Sequence, residues 1–141
     1  MLEMHTPQFC CGELNFGSFY DRSPLIQCDG ESPPPYMMDW FTPSTVPGCR
    51  TPHVWLANGT PLYDAMGADH CLLRFDRSVD TGRLTAAAAH RGVPLRVLDA
   101  DRIDPYRHAL VLSRPDQHIA WRGDAVPDNP LALMDKIRGA A

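Results

Sequence analysis

The chain has 141 residues, enough for one domain with a hydrophobic core plus an appendage. Thirteen basic residues against 17 acidic ones leave a net charge of -4, which gives no electrostatic reason to expect nucleic acid or an anionic membrane as partner. No apolar run approaches the roughly 18 residues that span a bilayer, and no basic region followed by an apolar one marks a secretory signal. Five cysteines, without an even framework of spacings, favour a reduced, cytoplasmic protein.

Residues 1–52 are predicted to form an extended arm or linker ahead of a globular domain at residues 53–141. Seven of the 14 prolines lie between Pro24 and Pro52, and proline removes a backbone donor and clashes with the preceding helical turn. Because the arm is rich in large apolar groups, we expect it to lie on the domain that follows or on a surface outside this chain. These groups are Phe16, Phe19, Tyr20, Leu25, Ile26, Tyr36, Met37, Met38, Trp40 and Phe41.

The pattern typical of a globular domain begins at His53. Residues 54–57 are typical of a short strand, and Asn58-Gly59 is a strong two-residue turn signal. Thr60 is predicted to cap a short helix over residues 62–66, which Gly67 ends.

A strand–helix–strand pattern follows. Residues 70–75 and 94–99 are predicted strands, and Asp80 or Thr81 is predicted to cap a helix that runs to about Arg91. A strand–helix–strand unit of this length is expected to be parallel and right-handed.

A hairpin comes next, with residues 109–113 and 118–122 as its antiparallel strands. Pro115 and Asp116 suit the two central positions of the tight turn between them. Alternate residues of a strand lie on the same face of the sheet. The apolar residues at this period-two spacing, which are expected to meet a core, are Leu110, Leu112, Ile119 and Trp121.

Asn129 and Pro130 begin a last helix with an apolar face. The order from residue 70 is therefore β-α-β-β-β-α. This order predicts an α/β domain of thioredoxin-like layout, a mixed four-stranded sheet flanked by helices.

The cysteines do not predict redox activity. A thioredoxin-like enzyme would carry Cys-x-x-Cys where the first strand meets the first helix, and residues 75–80 contain no cysteine. Cys71 is interpreted as a small buried hydrophobe. A strained disulfide between the adjacent Cys10 and Cys11 is disfavoured.

Metal binding is also disfavoured. Cys49 and His53 are separated by Pro52 and share no helical face, while His70 and Cys71 point to opposite faces of a strand. Helix capping and solvent exposure explain the remaining acidic cluster better than a calcium loop does. That cluster is Asp99, Asp101 and Asp104.

The polar and aromatic groups of the hairpin have two interpretations. In the structural one, Asp116 closes the turn, Arg114 pairs locally and Trp121 fills core. In the other, one face of the hairpin, including Trp121 and Arg122, docks another domain, because Trp and Arg are favoured at interface centres.

Separated blocks of the sequence resemble the C-terminal domain of FAD-dependent aromatic hydroxylases, the phenol hydroxylase and dichlorophenol hydroxylase type of flavoprotein monooxygenase. The resemblance covers about residues 43–138, and residues 8–30 are similar, more weakly, to the exit from the flavin domain of that family. In the family this domain is thioredoxin-like, lacks redox cysteines and follows the flavin domain. The blocks are residues 47–56, 58–64, 94–95 and 112–123.

The resemblance implies a parent enzyme that reduces FAD with NAD(P)H, forms a flavin hydroperoxide and hydroxylates a phenolic ring. The Gly-x-Gly-x-x-Gly fingerprint for FAD is missing from this chain. We therefore expect either a domain cut from a longer enzyme or a stand-alone relic, without its own cofactor, catalytic residue or metal. Its expected role is to brace the flavin domain and contribute dimer contacts; a free-standing thioredoxin-like binding module is the alternative.

The resemblance and the hairpin together give a set of candidate interface residues. One position departs from the family pattern, because Gln117 stands where glycine usually follows the Pro-Asp pair. If that position needs a positive φ, a non-glycine residue costs about 1 kcal/mol. The candidates are Arg50, His53, Trp55, Tyr63, Asp64, Arg114, Pro115, Asp116, Trp121 and Arg122.

Overall fold

The computed structural model describes residues 12, 16–20, 22–38 and 40–140. Three helices and four strands of this part form the domain, and each strand and helix expected from residue 62 onward occurs within one or two residues of its predicted bounds. In chain order they are α1 (Leu62–Met66), β1 (His70–Arg74), α2 (Gly82–His90), β2 (Leu95–Asp99), β3 (Leu110–Ser113), β4 (Ile119–Gly123) and α3 (Pro130–Ile137).

The four strands form one mixed sheet in the order β2-β1-β3-β4. β1 and β2 are parallel, with His70 opposite Leu95, as expected for a strand–helix–strand unit. β1 and β3 are antiparallel, with Leu72 opposite Leu112, and β3 and β4 form the hairpin. The predicted thioredoxin-like α/β layout is confirmed.

The sheet separates two hydrophobic layers, because successive side chains of a strand point to opposite faces. Leu72 and Leu112 pack with α2 and α3 on one face. Leu73 and Val111 pack with α1 and Tyr106 on the other. Each of these leucines is fully buried, and burial of one such side chain stabilises the fold by roughly 2–3 kcal/mol.

A β-bulge at Ala120 corrects the predicted faces of the hairpin. Leu112 lies opposite Trp121, whereas Ser113 lies opposite Ile119, so Ala120 is an extra residue in β4. The bulge places Ile119 in the layer of α1 and Trp121 in the layer of α2 and α3. All four predicted residues do meet a core, but the period-two pattern predicted for β4 was wrong, because Ile119 and Trp121 lie in different layers.

Two local predictions near residue 60 also need correction. Residues 54–57 form no strand; Trp55 makes only an isolated bridge with Pro61. The residue that precedes α1 is Pro61 rather than Thr60, and no side chain caps this helix. Gly67 does end α1, with a φ of 76°.

The described part of the predicted arm contacts the domain. Ile26 is buried in the same layer as Trp121, and the backbone N–H of Gln27 donates to the carbonyl of Ala120 at 2.8 Å. Gly12 and Phe16 are helical, so the chain is not extended at these two positions. The boundary between arm and domain at residue 52 stays a prediction.

Residues 48–51 run along the outer edge of β4. The N–H of Gly48 donates to the carbonyl of Ile119 at 2.8 Å, and the N–H of Ile119 donates to Cys49 at 2.9 Å. The N–H of Thr51 donates to Gln117 at 2.7 Å. These bonds satisfy backbone groups that an edge strand would otherwise expose.

Candidate functional site

An apolar groove of about 730 Å³ lies between residues 41–53, α1 and the loop before β3. We call it the Tyr63 groove. Tyr63 is on α1, and the bridge between Trp55 and Pro61 brings the chain back beside it. The groove is lined by Phe16, Phe41, Thr42, Pro43, Arg50, Pro52, His53, Tyr63, Asp104 and Pro105.

Three aromatic rings meet at one side of the Tyr63 groove. The ring of His53 lies 5.1 Å from that of Tyr63 and 5.5 Å from that of Trp55, centroid to centroid. Trp55 remains 65% exposed. The sequence singled out all three residues, and the structure brings them together.

Arg50 forms the cationic part of the groove. Its Cζ lies 5.5 Å from the ring centroids of both Phe16 and Tyr63, within the range of a cation–π contact. Its Nη2 donates to Oε1 of Gln117 at 2.7 Å. Its Nε is buried and finds no hydrogen-bond partner within the described part of the chain, which is uncommon for a buried donor.

Two tyrosine hydroxyls fix the segment beside the groove. Tyr63 donates to the carbonyl of Thr51 at 2.6 Å, and Tyr106 donates to the carbonyl of Pro52. Tyr106 also stacks on Phe75 with a centroid distance of 4.6 Å. Burial, and to a lesser extent Tyr63, raises the pKa of Tyr106, so its hydroxyl stays a donor. No motif or spacing in the sequence pointed to Tyr106.

The tip of the hairpin is a compact polar turn. Nη2 of Arg114 lies 2.9 Å from Oδ2 of Asp116, and Oδ1 of Asp116 accepts a hydrogen bond from the N–H of His118 at 3.2 Å. Arg114 also lies over the ring of Tyr20, with Cζ 5.6 Å from the centroid. Pro115 is exposed between them. Arg114 and Asp116 thus pair with each other, apart from the Tyr63 groove.

Gln117 occupies the position where a positive φ is required. Its φ is 63°, and its N–H donates to the carbonyl of Arg114 at 2.9 Å, closing the turn around Pro115 and Asp116. A left-handed backbone is costly for a residue with a Cβ. The hydrogen bond between the Gln117 side chain and Arg50 offsets this cost.

Trp121 and Arg122 are buried side by side on opposite faces of β4. Trp121 packs into the core with α2 and α3. The side chain of Arg122 is only 4% exposed, and its Nε donates to Oδ2 of Asp29 at 2.7 Å. It also bonds to Glu31 and to Oγ1 of Thr45, the latter at 3.0 Å. Arg122 therefore holds the arm, and the sequence did not indicate its acidic partners.

The remaining sequence candidates do not form a reactive centre. Asp64 is exposed in the first turn of α1. Cys71 is buried, and burial raises the pKa of its thiol to about 11, which disfavours the reactive thiolate. Cys10 and Cys11 lie outside the described residues. Among the residues described, no three His, Cys, Asp or Glu side chains come together as a metal site.

The chain matches the family model described as "Aromatic-ring hydroxylase, C-terminal" over residues 44–141. It belongs to this family. The resemblance drawn from the sequence blocks is thereby confirmed, and the chain is of the kind found as the C-terminal domain of FAD-dependent, aromatic-hydroxylase-type monooxygenases.

Relatives of known name agree with this assignment. The chain is 36% identical over 104 residues to the FAD-dependent monooxygenase apdD of Emericella nidulans, covering 67% of this chain and 16% of apdD. It is 30% identical over 156 aligned positions to the phenol 2-monooxygenase of Pseudomonas sp. (strain EST1001), covering 94% of this chain and 25% of that enzyme. The chain thus spans a quarter or less of these relatives.

Solved structures match over nearly the whole chain. RebC soaked with chromopyrrolic acid, with bound 7-carboxy-K252c, aligns with a TM-score of 0.82 and 37% identity over 95% of this chain and 26% of RebC. The flavin-dependent monooxygenase PieE, in complex with FAD and substrate, aligns with a TM-score of 0.72 and 25% identity over 94% of this chain and 27% of PieE. No helix in the described ranges is long and apolar enough to cross a bilayer.

Proposed function

We propose that this chain is the non-catalytic C-terminal domain of an FAD-dependent, NAD(P)H-using hydroxylase of phenolic compounds. In this role it stabilises the flavin-binding part of the parent enzyme and contributes contacts to a homodimer in the cytoplasm. The observation that carries the proposal is the extent of the RebC match, which takes in 95% of this chain but only 26% of RebC. The phenolic substrate class follows the name of the Pseudomonas relative.

The residues of the Tyr63 groove do not fit a flavin dinucleotide. A pyrophosphate needs convergent N–H donors at a helix N-terminus or a glycine-rich turn. The charged groups of this groove are Arg50, whose Nη2 already donates to Gln117, and Asp104, whose carboxylate repels an anion. The flavin chemistry is therefore assigned to the other part of the parent enzyme.

Three of the described side chains that could react are engaged in structure. Burial keeps the Cys71 thiol protonated, Tyr106 is held by the carbonyl of Pro52, and Arg122 is enclosed by residues of the arm. This arrangement suits a domain that supplies shape and contact surface.

Purification of the 141-residue chain tests the proposal. We expect a preparation without flavin absorbance near 450 nm that oxidises no NAD(P)H in the presence of phenols. We also expect the gene to have a flavin-binding sequence in frame or beside it. Stoichiometric bound flavin, or turnover of a phenol by this chain alone, would overturn the proposal.

A free-standing binding module is the second candidate. The Tyr63 groove favours it, because a groove of about 730 Å³ beside an exposed tryptophan could hold a peptide or small molecule. A gene without any flavin-binding neighbour, together with saturable binding of an aromatic peptide, would favour this candidate over the first.

A further inference from the structure

We infer that the Tyr63 groove, with Trp55 at its side, is the surface that receives the flavin-binding part of the parent enzyme. This inference rests on the proposed function and names the surface through which this domain would contact the flavin-binding part. The partner surface is expected to be apolar and to offer a carboxylate or carbonyl oxygen to Arg50.

The large exposed hydrophobic side chains lie on loops and on the arm, and some of them are at the Tyr63 groove. In the described part of the chain, none of the large exposed hydrophobic side chains belongs to a helix or strand of the domain. Phe16 lines the groove itself, Trp55 borders it through the ring of His53, and Ile103 directly precedes Asp104 of its lining. Three of the eight large exposed hydrophobic side chains of the described residues are thus in the groove, beside it or next to its lining in sequence, and exposed apolar groups around a groove are typical of a surface that another protein covers.

The position of the groove along the chain indicates which partner covers it. The family match begins at residue 44, whereas Phe16 and Phe41, which lie before that point, line the groove. The groove is thus built at the join between the family domain and the chain that precedes it. In RebC about three quarters of the polypeptide lies outside the matched region, since the match covers 26%. A partner attached at this join would reach the groove at high effective concentration.

Arg50 indicates that the partner surface carries a hydrogen-bond acceptor. Its guanidinium is held between Phe16 and Tyr63, and its Nη2 is used by Gln117. Its buried Nε has no acceptor among the residues that the structure describes. That atom is enclosed, but Arg50 as a whole is only half-buried, so a carboxylate or carbonyl of the partner would bond to the accessible side of the guanidinium; aromatic and arginine side chains of this kind dominate many interfaces.

The test uses the complete 141-residue chain and, as probe, the FAD-loaded polypeptide that is encoded in frame with it or beside it. Affinity is measured by titration calorimetry for the unchanged chain, Trp55→Ser, Trp55→Phe, Arg50→Gln and Arg83→Gln. Arg83 is an exposed arginine on α2, which packs on the other face of the sheet, so it is the matched control. Thermal unfolding of each isolated variant separates binding from folding.

We expect Trp55→Ser and Arg50→Gln each to weaken the complex at least about tenfold, with Trp55→Phe retaining most of the affinity and Arg83→Gln all of it. Trp55→Ser should leave the unfolding midpoint of the isolated chain unchanged, because the side chain is mostly exposed. Hydrogen exchange of the complex should show added protection in residues 50–56 and 103–106 and none in α2.

The outcomes separate the two proposals. If a complex forms but the groove variants bind normally, or protection falls on α2 instead, this inference is wrong and the proposed function stands. If the gene has no flavin-binding neighbour, or the probe does not bind the unchanged chain, the proposed function fails and this inference fails with it.

Discussion

The Nε of Arg122 donates to Oδ2 of Asp29 at 2.7 Å and so joins β4 to a residue 93 positions earlier in the chain. The side chain of Arg122 is 4% exposed, whereas those of Asp29 and Glu31 are 32% and 64% exposed. A buried charge that loses a partner is costly, while a pair at the surface contributes little. The two acidic partners should therefore contribute unequally.

We expect Asp29→Asn to lower the free energy of unfolding by about 1 kcal/mol, because it removes the less exposed of the two charged acceptors of the buried guanidinium. The matched change Glu31→Gln should cost no more than about 0.5 kcal/mol. Urea unfolding at pH 7 measures both. Equal losses for the two variants would contradict the assignment of Asp29 as the main partner of Arg122.

The pair formed by Asp29 and Arg122 predicts that the folded chain loses stability in acid. Burial alone would raise the pKa of Asp29, but the hydrogen bond with Arg122, the backbone N–H of Glu31 and the positive charge of Arg122 together outweigh burial, so the pKa is lowered. A carboxyl group with a lowered folded pKa stabilises the fold above its unfolded pKa of about 3.9 and loses this effect as the pH falls through the folded value. The difference in urea midpoint between the unchanged chain and Asp29→Asn should shrink below about pH 4. A difference that stays constant down to pH 2.5 would exclude this linkage.

Gln117 offers a double-mutant test of the hairpin. Its φ of 63° favours glycine, and Gln117→Gly should relieve about 1 kcal/mol of backbone cost. The same change removes the hydrogen bond with Arg50, worth about 1 kcal/mol, so the net effect on stability should be close to zero. After Arg50→Ala, Gln117→Gly should become stabilising by about 1 kcal/mol. Equal effects of Gln117→Gly in both backgrounds would show that the two residues are not coupled.

The two tyrosine hydroxyls beside the groove should differ in their contribution to stability. Tyr106→Phe leaves the buried carbonyl of Pro52 without its donor and should cost about 1–3 kcal/mol. Tyr63→Phe removes a half-buried hydrogen bond to Thr51 and should cost about 1 kcal/mol or less. Thermal and urea unfolding of the two variants compare them directly. A larger loss for Tyr63→Phe would show that the carbonyl of Pro52 finds another donor.

Cys71 should be protected from thiol reagents in the folded chain. It is fully buried, and burial raises its pKa to about 11. The exposed Cys28 should be labelled by iodoacetamide within minutes at pH 8, while Cys71 should be labelled only at the rate of unfolding. Because the folded pKa is raised, Cys71 favours the fold below its unfolded pKa and loses this contribution as the pH rises towards 11. Peptide mass spectrometry reads each site, and rapid labelling of Cys71 in the native state would contradict its burial.

The main elements could be predicted because local signals mark their ends. Gly67 has a positive φ where α1 stops, and the side chain of Asn129 accepts from the N–H of Ala132 where α3 begins. Apolar runs of β1 and β3 are continuous because these central strands are buried on both faces. Such signals lie within a few residues of the feature they specify.

The predictions were wrong or incomplete where residues far apart in the sequence determine the local structure. The extra residue at Ala120 leaves a carbonyl that accepts from Gln27, and no alternation rule reveals a bulge of this kind. Arg122 was selected, but Asp29 and Glu31 lie 93 and 91 positions away. The Tyr63 groove was found only in part, since Asp104 and Pro105 reach it through the loop before β3.

The run of residues 48–51 along β4 limits how this molecule can be shortened. A piece that starts at residue 53 would lose the donors and acceptors of Gly48, Cys49 and Thr51 and leave a bare strand available as a template for other chains. Such a piece should accumulate as insoluble protein on expression. The opposite edge of the sheet is β2. There Pro94 lacks an N–H and Arg96 carries a charge, and both disfavour pairing with a strand of another chain.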